Sequence, residues 1–291
     1  MKYNSYRLGK YSGLMVQADN KDPLAKFPAP TCQDLIKTHG VVLFRNFSIT
    51  PENFGQFVKN NSRTTTLDPT RVFFNDTVQR VHEGTDSIDL HSEHSNSPFR
   101  PDLIWFLCHQ APQEDGQTTY CDGVRIWKSL NQATQQLFVN NKIQYHRTFP
   151  AQIWKIFIAR TLADSLSPED ITVTHLQQVF ANKTGVTLNL SDDESLTMTF
   201  TTHAFNIVLN QQKSFTNSLF GPYPGQTITL ENGEPLPNQI MHEIKICYDE
   251  FVEEITWQNA DVVAIDNTRF MHGRRSSKDL KRELFSVLSF F

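Results

Sequence analysis

Hydrophobic and polar positions change period several times along the 291-residue chain, and the changes divide it into elements. Near the N-terminus, Pro30-Thr31 followed by Cys32 to His39 reads as a short capped helix. Gly40 and the apolar run Val41 to Phe44 predict a strand, and Pro51 to Asn60 a second helix, so the chain opens helix, strand, helix. From Ser87 to Trp127 the pattern is strand-rich. It predicts strands at Ile88 to Glu93, Asp102 to Cys108 and Thr118 to Cys121, separated by polar turns that carry Pro98, Pro101, Pro112 and Gly116. Thr161 to Gly185 is helical in character, with Ser167-Pro168-Glu169-Asp170 as a start signal and Ile171, His175 and Val179 at helical spacing. Leu188 to Leu209 alternates and predicts a return to sheet. Pro235 to Glu253 predicts a helix with Ile240, Ile244, Cys247, Tyr248 and Phe251 on one face. Asp261 to Asp266 and Arg282 to Phe290 predict the last two strands.

Short strands punctuated by turns, with helices set among them, predict an α+β arrangement around a β sandwich or barrel. There is no fixed-period repeat and no linker-like tract. Residues 1–291 therefore read as one domain, with an N-terminal helix-strand-helix extension and a helical insertion around 150–185.

Composition narrows the function classes. Hydrophobic residues are 38% of the chain and aromatics 11%, enough for a large core and against a mostly disordered chain. The longest apolar stretches, Leu103 to Cys108 and Val262 to Ile265, fall far short of the roughly 18 residues of a membrane span and suit buried strands. No membrane association is expected. Met1 to Gly13 is polar and aromatic with no hydrophobic segment, so a cytoplasmic address is expected. Cys32, Cys108, Cys121 and Cys247 show no Cys-x-x-Cys spacing, which weakens zinc-finger and disulfide-scaffold readings. The net charge of −4, with no basic block longer than Arg274-Arg275, gives nucleic acid no electrostatic footprint.

One constellation carries chemistry. In Leu90-His91-Ser92-Glu93 the His and the Glu are two apart on a predicted strand, which puts both side chains on one face, within reach of one cation. His272 offers a second imidazole, in the Met271-His272-Gly273-Arg274 segment that follows the buried strand and the polar loop at Asp266-Asn267. A late strand can return beside an early one in a closed β fold. Two His and one carboxylate leave adjacent metal positions open, as in non-haem Fe(II) oxygenases. By itself the His-x-Glu spacing is weak and more often describes a solvated strand face or a hydrogen-bonded core His.

The wider context distinguishes these readings. Leu90 to Ser95, Arg100 to Cys108, Asp115-Gly116-Gln117-Thr118-Thr119, and the distal Asp266-Asn267, His272-Gly273-Arg274 and Arg282 together resemble the TauD/TfdA superfamily of Fe(II)- and 2-oxoglutarate-dependent dioxygenases. The flavour is similar to its SyrP-like and clavaminate-synthase-like members, and the resemblance runs from about Gly40 to the end. It implies a double-stranded β-helix, or jelly-roll, core with flanking helices. It implies His91, Glu93 and His272 as iron ligands, and 2-oxoglutarate and dioxygen as cosubstrates. It places Thr118 and Arg282 on the distal carboxylate of 2-oxoglutarate, where an Arg fork makes paired, charge-assisted bonds. The implied activity is hydroxylation, or another oxidation, of a C–H bond in a small, amino-acid-derived substrate of a biosynthetic pathway, either free or tethered to a carrier protein.

The sequence departs from the family pattern at identifiable places. Glu93 stands where many relatives have Asp, and a carboxylate there argues against halogenation. Asp115 replaces the first Gly of the usual pair, and the spacer Arg275 to Lys281 lacks a Phe-x-Gly, which leaves Arg274 and Arg275 as alternatives to Arg282. Arg282 is favoured because it opens the last predicted strand. His94 is a candidate ligand or hydrogen-bond partner of a ligand, but the commoner fate is a surface or substrate-pocket residue, and it is expected to point away from the face of His91 and Glu93. His146 and His203 are expected to be packed, and Asn267 to fix its loop through a side-chain to backbone bond. Phe215 and Phe220 are candidates for a substrate mouth, with core as the commoner fate. Arg125 is a candidate for a substrate carboxylate, against a surface ion pair.

The competing reading is a non-catalytic or zinc-dependent β-barrel that binds a small molecule. The chain contains no His-Glu-x-x-His, Gly-x-Ser-x-Gly or phosphate-binding glycine loop, which removes the common alternative enzymes.

Overall fold

The structure, a computed structural model, describes residues 1–81, 84–162, 166–221, 223, 225–279 and 281–291. A hairpin of Tyr3–Arg7 (β1) and Leu14–Ala18 (β2) comes first, followed by helix Ala29–His39 (α1), strand Val41–Arg45 (β3) and helix Pro51–Asn60 (α2). Three short strands, Thr64–Thr66 (β4), Val72–Phe73 (β5) and Gln79–Arg80 (β6), lead to Ile88–His91 (β7), Leu103–Gln110 (β8) and Thr118–Asp122 (β9). Helices Gly123–Ser129 (α3) and Gln132–Asn140 (α4) precede strand Ile143–Phe149 (β10), helices Ala151–Leu162 (α5) and Val173–Phe180 (α6), and strands Val186–Leu190 (β11), Leu196–Thr202 (β12), Asn206–Val208 (β13), Gln212–Ser214 (β14) and Thr227–Leu230 (β15). Helix Asn238–Phe251 (α7) and strands Glu253–Ile255 (β16), Val262–Asp266 (β17), Phe270–Arg274 (β18) and Glu283–Phe290 (β19) follow.

The strands form a mixed α/β architecture of several sheets. The major sheet runs β1-β2-β3-β17-β8-β19-β6-β5, with β4 also paired to β19. A four-stranded sheet, β16-β9-β18-β7, holds the two predicted His positions, and a second four-stranded sheet, β11-β12-β10-β15, is built by the insertion. The central strands of the major sheet are apolar at successive positions because both faces are covered. Val42, Phe44, Leu103, Trp105 and Leu107 pack on one side with Ile36, Phe54 and Phe57 of α1 and α2. Val41, Leu43, Ile104, Phe106 and Val263 pack on the other side with Tyr120, Ile255 and Phe270 of the smaller sheet. The outer face of that smaller sheet, at Leu90, Cys121 and Met271, is covered by Ile126, Phe138, Ile244 and Tyr248 of α3, α4 and α7. Among the described residues no helix is long and apolar enough to cross a membrane, and the four cysteines are buried free thiols.

Several expectations need correction. The strand predicted to reach Glu93 stops at His91; Ser92 leaves the ladder and His94 adopts a left-handed φ of 54°, which ends the alternation. The strand of the N-terminal extension lies inside the major sheet, parallel to β2 and antiparallel to β17, and the β1-β2 hairpin before it is additional. The helical stretch expected from Thr161 starts earlier, at Ala151. The Ser167 to Asp170 start signal forms only a 3₁₀ turn at Pro168–Asp170, and α6 begins at Val173 behind a capping box of Thr172 and His175. The expectation also covers residues 163–165, which lie outside the described residues. His272, given no element of its own in the sequence reading, lies in the middle of β18, a strand buried at every position.

Candidate functional site

β18 lies between β9 and β7, and its register puts His272 opposite both Tyr120 and His91. The cross-strand pairing brings the two imidazoles to a centroid separation of 4.5 Å. Phe270, two residues earlier on the same face, packs between the sheets, so His272 also points inward, where the Phe106 ring stands edge-on at 5.5 Å. Strand alternation cannot place Glu93, because it is past the end of β7. Asn267 places it. The Asn267 side chain accepts the Glu93 amide at 2.7 Å and donates to the carbonyls of Glu93 (3.0 Å) and Pro101 (2.9 Å), while Ser92 donates to the Asn267 carbonyl. The loop-fixing bond expected of Asn267 is therefore a clamp on the Glu93 turn.

Together these elements bring His91, Glu93 and His272, all buried, to within 4.8 Å of one another through one ligand atom each. His272 Nε2 is 3.5 Å from Glu93 Oε2. His91 Nδ1 lies 2.9 Å from the carbonyl of Asp89, which takes the proton on that nitrogen and leaves Nε2 as a lone-pair donor. Burial and the neighbouring His272 push the His91 pKa down to about 4, against the pull of Glu93, so the ring is neutral near neutral pH. Burial would raise the Glu93 pKa, but Arg71 and His272 outweigh it and hold the carboxyl well below its ordinary range. A neutral imidazole beside an ionised carboxylate suits a divalent cation.

The buried polar atoms without a hydrogen bond point to the same place. Among the described residues there are four; His272 Nδ1 and Arg282 Nε belong to predicted site residues, and so does Glu93 Oε2, which meets Arg71 as an ion pair. Buried groups of this kind are rare in folded proteins and call for a missing partner.

Arg282 precedes β19, half-buried against Gly116, where a Cβ on the glycine would come 3.3 Å from Arg282 Cδ. Thr118 is two residues beyond Gly116 and is buried, its hydroxyl accepting from Trp257 Nε1 at 3.0 Å. Burial and the nearby Arg274 push the Arg282 pKa down to about 10. The alternative arginines are engaged elsewhere: Arg275 pairs with Glu254 at the surface, and Arg274 donates to the carbonyl of Asp86.

Other candidates move. His94 does not point away; its positive φ turns Nε2 back to 3.3 Å from Glu93 Oε1 and 3.1 Å from Asp68 Oδ2. His146 is held between Thr199 and Thr229, while His203 is exposed and stacks on Phe205 rather than packing inside. Phe215 is fully buried in the cluster under α3 and α4 and Phe220 packs on Tyr248, so neither lines a mouth at the His91-Glu93-His272 cluster. Arg125 lies over the rings of Tyr11 and Phe251.

Two residues of the site have no signal in the linear sequence. Arg71 Nη2 forms an ion pair with Glu93 Oε2 at 2.9 Å, and its Nη1 donates to Ser286. Tyr223 places its ring edge-on to His91, at 6.3 Å. Both sit in irregular segments, brought in by tertiary contacts alone.

A sequence profile described as "Taurine catabolism dioxygenase TauD, TfdA family" matches residues 13–288. The chain belongs to the TauD/TfdA family of Fe(II)- and 2-oxoglutarate-dependent dioxygenases. Within this family it is 23% identical over 262 residues to the dapdiamide synthesis protein DdaC of Enterobacter agglomerans, covering 83% of this chain and 80% of DdaC. A clavaminate synthase-like protein of Arabidopsis thaliana is 34% identical over 64 residues, 22% of this chain and 19% of that one. The fold is similar to that of the PvcB protein of Pseudomonas aeruginosa, with a TM-score of 0.65 and 12% identity over 99% of this chain and 91% of PvcB.

Proposed function

We propose that His91, Glu93 and His272 hold Fe(II), and that Thr118 and Arg282 hold the distal carboxylate of 2-oxoglutarate, for oxidation of a C–H bond in a small, amino-acid-derived substrate. The observation that carries this reading is the convergence of the three ligand atoms within 4.8 Å in a buried site between two sheets. The two sheets that share one core, with the site between them, support a double-stranded β-helix. The fit is chemical as well as spatial. A cation adds to the charge that Arg71 already sets against Glu93 Oε2, and a carboxylate satisfies Arg282 Nε. Fe(II) bound there supplies the oxidising chemistry, coupling dioxygen reduction and decarboxylation of 2-oxoglutarate to oxidation of the substrate.

The protein's own residues have distinct tasks. The Asp89 carbonyl fixes the tautomer of His91, Asn267 holds the Glu93 backbone, and Phe106 packs edge-on against His272 at 5.5 Å. The Arg282 guanidinium meets the cosubstrate carboxylate in a desolvated position, where a charge-assisted bond is strongest. A biosynthetic role is supported by the relatives, since DdaC is described by dapdiamide synthesis and PvcB as an oxygenase of an isonitrile synthetic pathway. A carrier-tethered substrate is the variant of this role that adds a protein partner.

The test is anaerobic titration of Fe(II) and 2-oxoglutarate into metal-free protein, followed by the weak visible charge-transfer band of the chelate. The expected result is a band in the wild type that is lost in His272→Ala and weakened in Arg282→Ala. No band in folded wild-type protein would overturn the assignment and favour the non-catalytic or zinc-dependent binding protein.

A further inference from the structure

The insertion does more than cover a sheet. Its β10 presents Tyr145, Arg147 and Phe149 on one face, two residues apart, and β12 places Met198 and Leu196 opposite Arg147 and Phe149. These side chains form the floor of an open cavity between the insertion and the turn that carries His94. The floor is graded. Tyr145, at the end nearer the His91-Glu93 turn, accepts the Ser218 amide, and Ser218 in turn bonds Ser95 and the Ser92 carbonyl. Phe149, at the other end, leads into α5, where Phe157 and, from α6, Phe180 remain only partly buried although both pack on the insertion's own cluster. A sealed core would cover such rings; here they face the cavity.

Between the two ends stands Arg147. Its guanidinium lies 4.7 Å from the Phe149 ring centroid and 5.9 Å from that of Tyr223, and no carboxylate pairs with it among the described residues. The other charged groups of the cavity are already matched: Asp68 binds His94 and Arg71. The polar amides are matched too, since Asn96 donates to Gln226. A cation framed by aromatic faces, with its donors unused, selects an anion. His94, which lines the cavity, is 3.3 Å from Glu93 Oε1, so the cavity ends one side chain from the proposed metal ligands.

We propose that this cavity is the substrate site and that it takes an amphiphilic monocarboxylate, with the carboxylate on Arg147 and an apolar arm among Phe149, Phe157, Leu176 and Phe180. The proposal rests on the function proposed above and names its substrate class. The order Tyr145, Arg147, Phe149 along β10 directs the arm away from the proposed metal site, so the carbon oxidised lies near the carboxylate end of the molecule.

Binding tests this without turnover. Trp154 lines the cavity, buried, with its indole donating to the Glu194 carbonyl, and is a local fluorescence reporter. Metal-free protein is titrated with butanoate, hexanoate, octanoate and decanoate, with decylamine and decanol as charge controls, and Trp154→Phe identifies the signal. The expected result is affinity rising about fourfold per added methylene until the arm fills the cavity, and at least tenfold weaker binding of the amine and the alcohol. Arg147→Gln should remove the preference for carboxylate while keeping the length dependence, Arg147→Lys should restore part of the preference, and Leu176→Trp should shorten the longest chain accepted. Circular dichroism confirms that each variant is folded. Affinity independent of chain length, or equal affinity for decanoate and decylamine, would overturn the proposal. The same titration in His272→Ala separates the two readings. Unchanged carboxylate binding there, in a protein whose wild type shows no Fe(II)–2-oxoglutarate band, would keep the binding site and remove the oxygenase assignment.

Discussion

Asn267 carries more of the site than its single side chain suggests. It bonds the amide and carbonyl of Glu93 and the carbonyl of Pro101 at buried positions, and Ser92 bonds it in return. Asn267→Ala leaves several buried backbone groups unpaired and frees the Glu93 turn. The expected cost is about 2–3 kcal/mol in urea unfolding, with Fe(II) affinity lowered by about 10- to 100-fold. Arg71 has the opposite relation to the metal. Its guanidinium occupies the Glu93 carboxylate as a counter-charge, so Arg71→Gln takes the arginine from two buried carboxylates, Asp68 and Glu93, and leaves them His94 as their shared partner. Metal-free Arg71→Gln should therefore lose about 3 kcal/mol of stability, and thermal melts should show Fe(II) or Mn(II) raising its Tm more than it raises the wild type's. An equal metal-induced shift in both would remove Arg71 from the site. Asp68 adds a pH dependence. Burial alone would raise its pKa, but the hydrogen bond and charge of His94, with Arg71, hold it below its ordinary 3.8. A depressed carboxyl contributes stability that is complete above the unfolded value and lost as pH falls through the folded one. The stability gap between wild type and Asp68→Asn should therefore shrink between pH 6 and pH 3 in denaturant titrations; a gap that widens would contradict the pairing.

At the scale of elements, the smaller sheet controls the site through the fit of β18 to β7. The ladder between them shifts register between His272 and Arg274, and at Gly273 the β7 backbone comes so close that an added Cβ would lie 2.4 Å from the Ile88 carbonyl oxygen. Gly273→Ala forces these strands apart beside His272. The expected outcome is a folded protein, by circular dichroism, with Fe(II) affinity reduced at least tenfold, because a displacement of about an ångström at a ligand suffices. Retention of full affinity would show that the strands adjust elsewhere. The same strand explains where sequence reading succeeds and fails. The long apolar runs that became β3, β8 and β17 are legible because both faces are buried, and α7 is legible from its apolar stripe. β18 is not, because Phe270-Met-His-Gly-Arg274 mixes charge, sulfur and glycine at positions that are nonetheless buried. Glu93 is legible by spacing for the wrong reason: a strand was expected to align it, and Asn267 does so instead. Arg71 and Tyr223 were illegible because their segments carry no periodic pattern, and tertiary contact alone brings them in.

For the molecule as a whole, the family could be recognised because its motifs fall in order along one chain, while the substrate cavity could not, because it is assembled from the insertion. The Tyr145-Arg147-Phe149 row is visible as an alternating strand, yet nothing in it shows which face meets His94. The order of the chain has another consequence. β18 and β19, at residues 270–290, are interior strands, each flanked on both sides by segments laid down far earlier: β9 and β7 for one, β8 with β6 and β4 for the other. Every contact that closes the site is thus a long-range one, a topology that folds slowly. A refolding time course should show backbone circular dichroism recovering ahead of Fe(II) uptake, with uptake appearing only in the last phase. A growing polypeptide of this design cannot bring His272 to His91 and Glu93 until these two strands have emerged and slotted home, so the three-residue site proposed for iron is a late product of assembly.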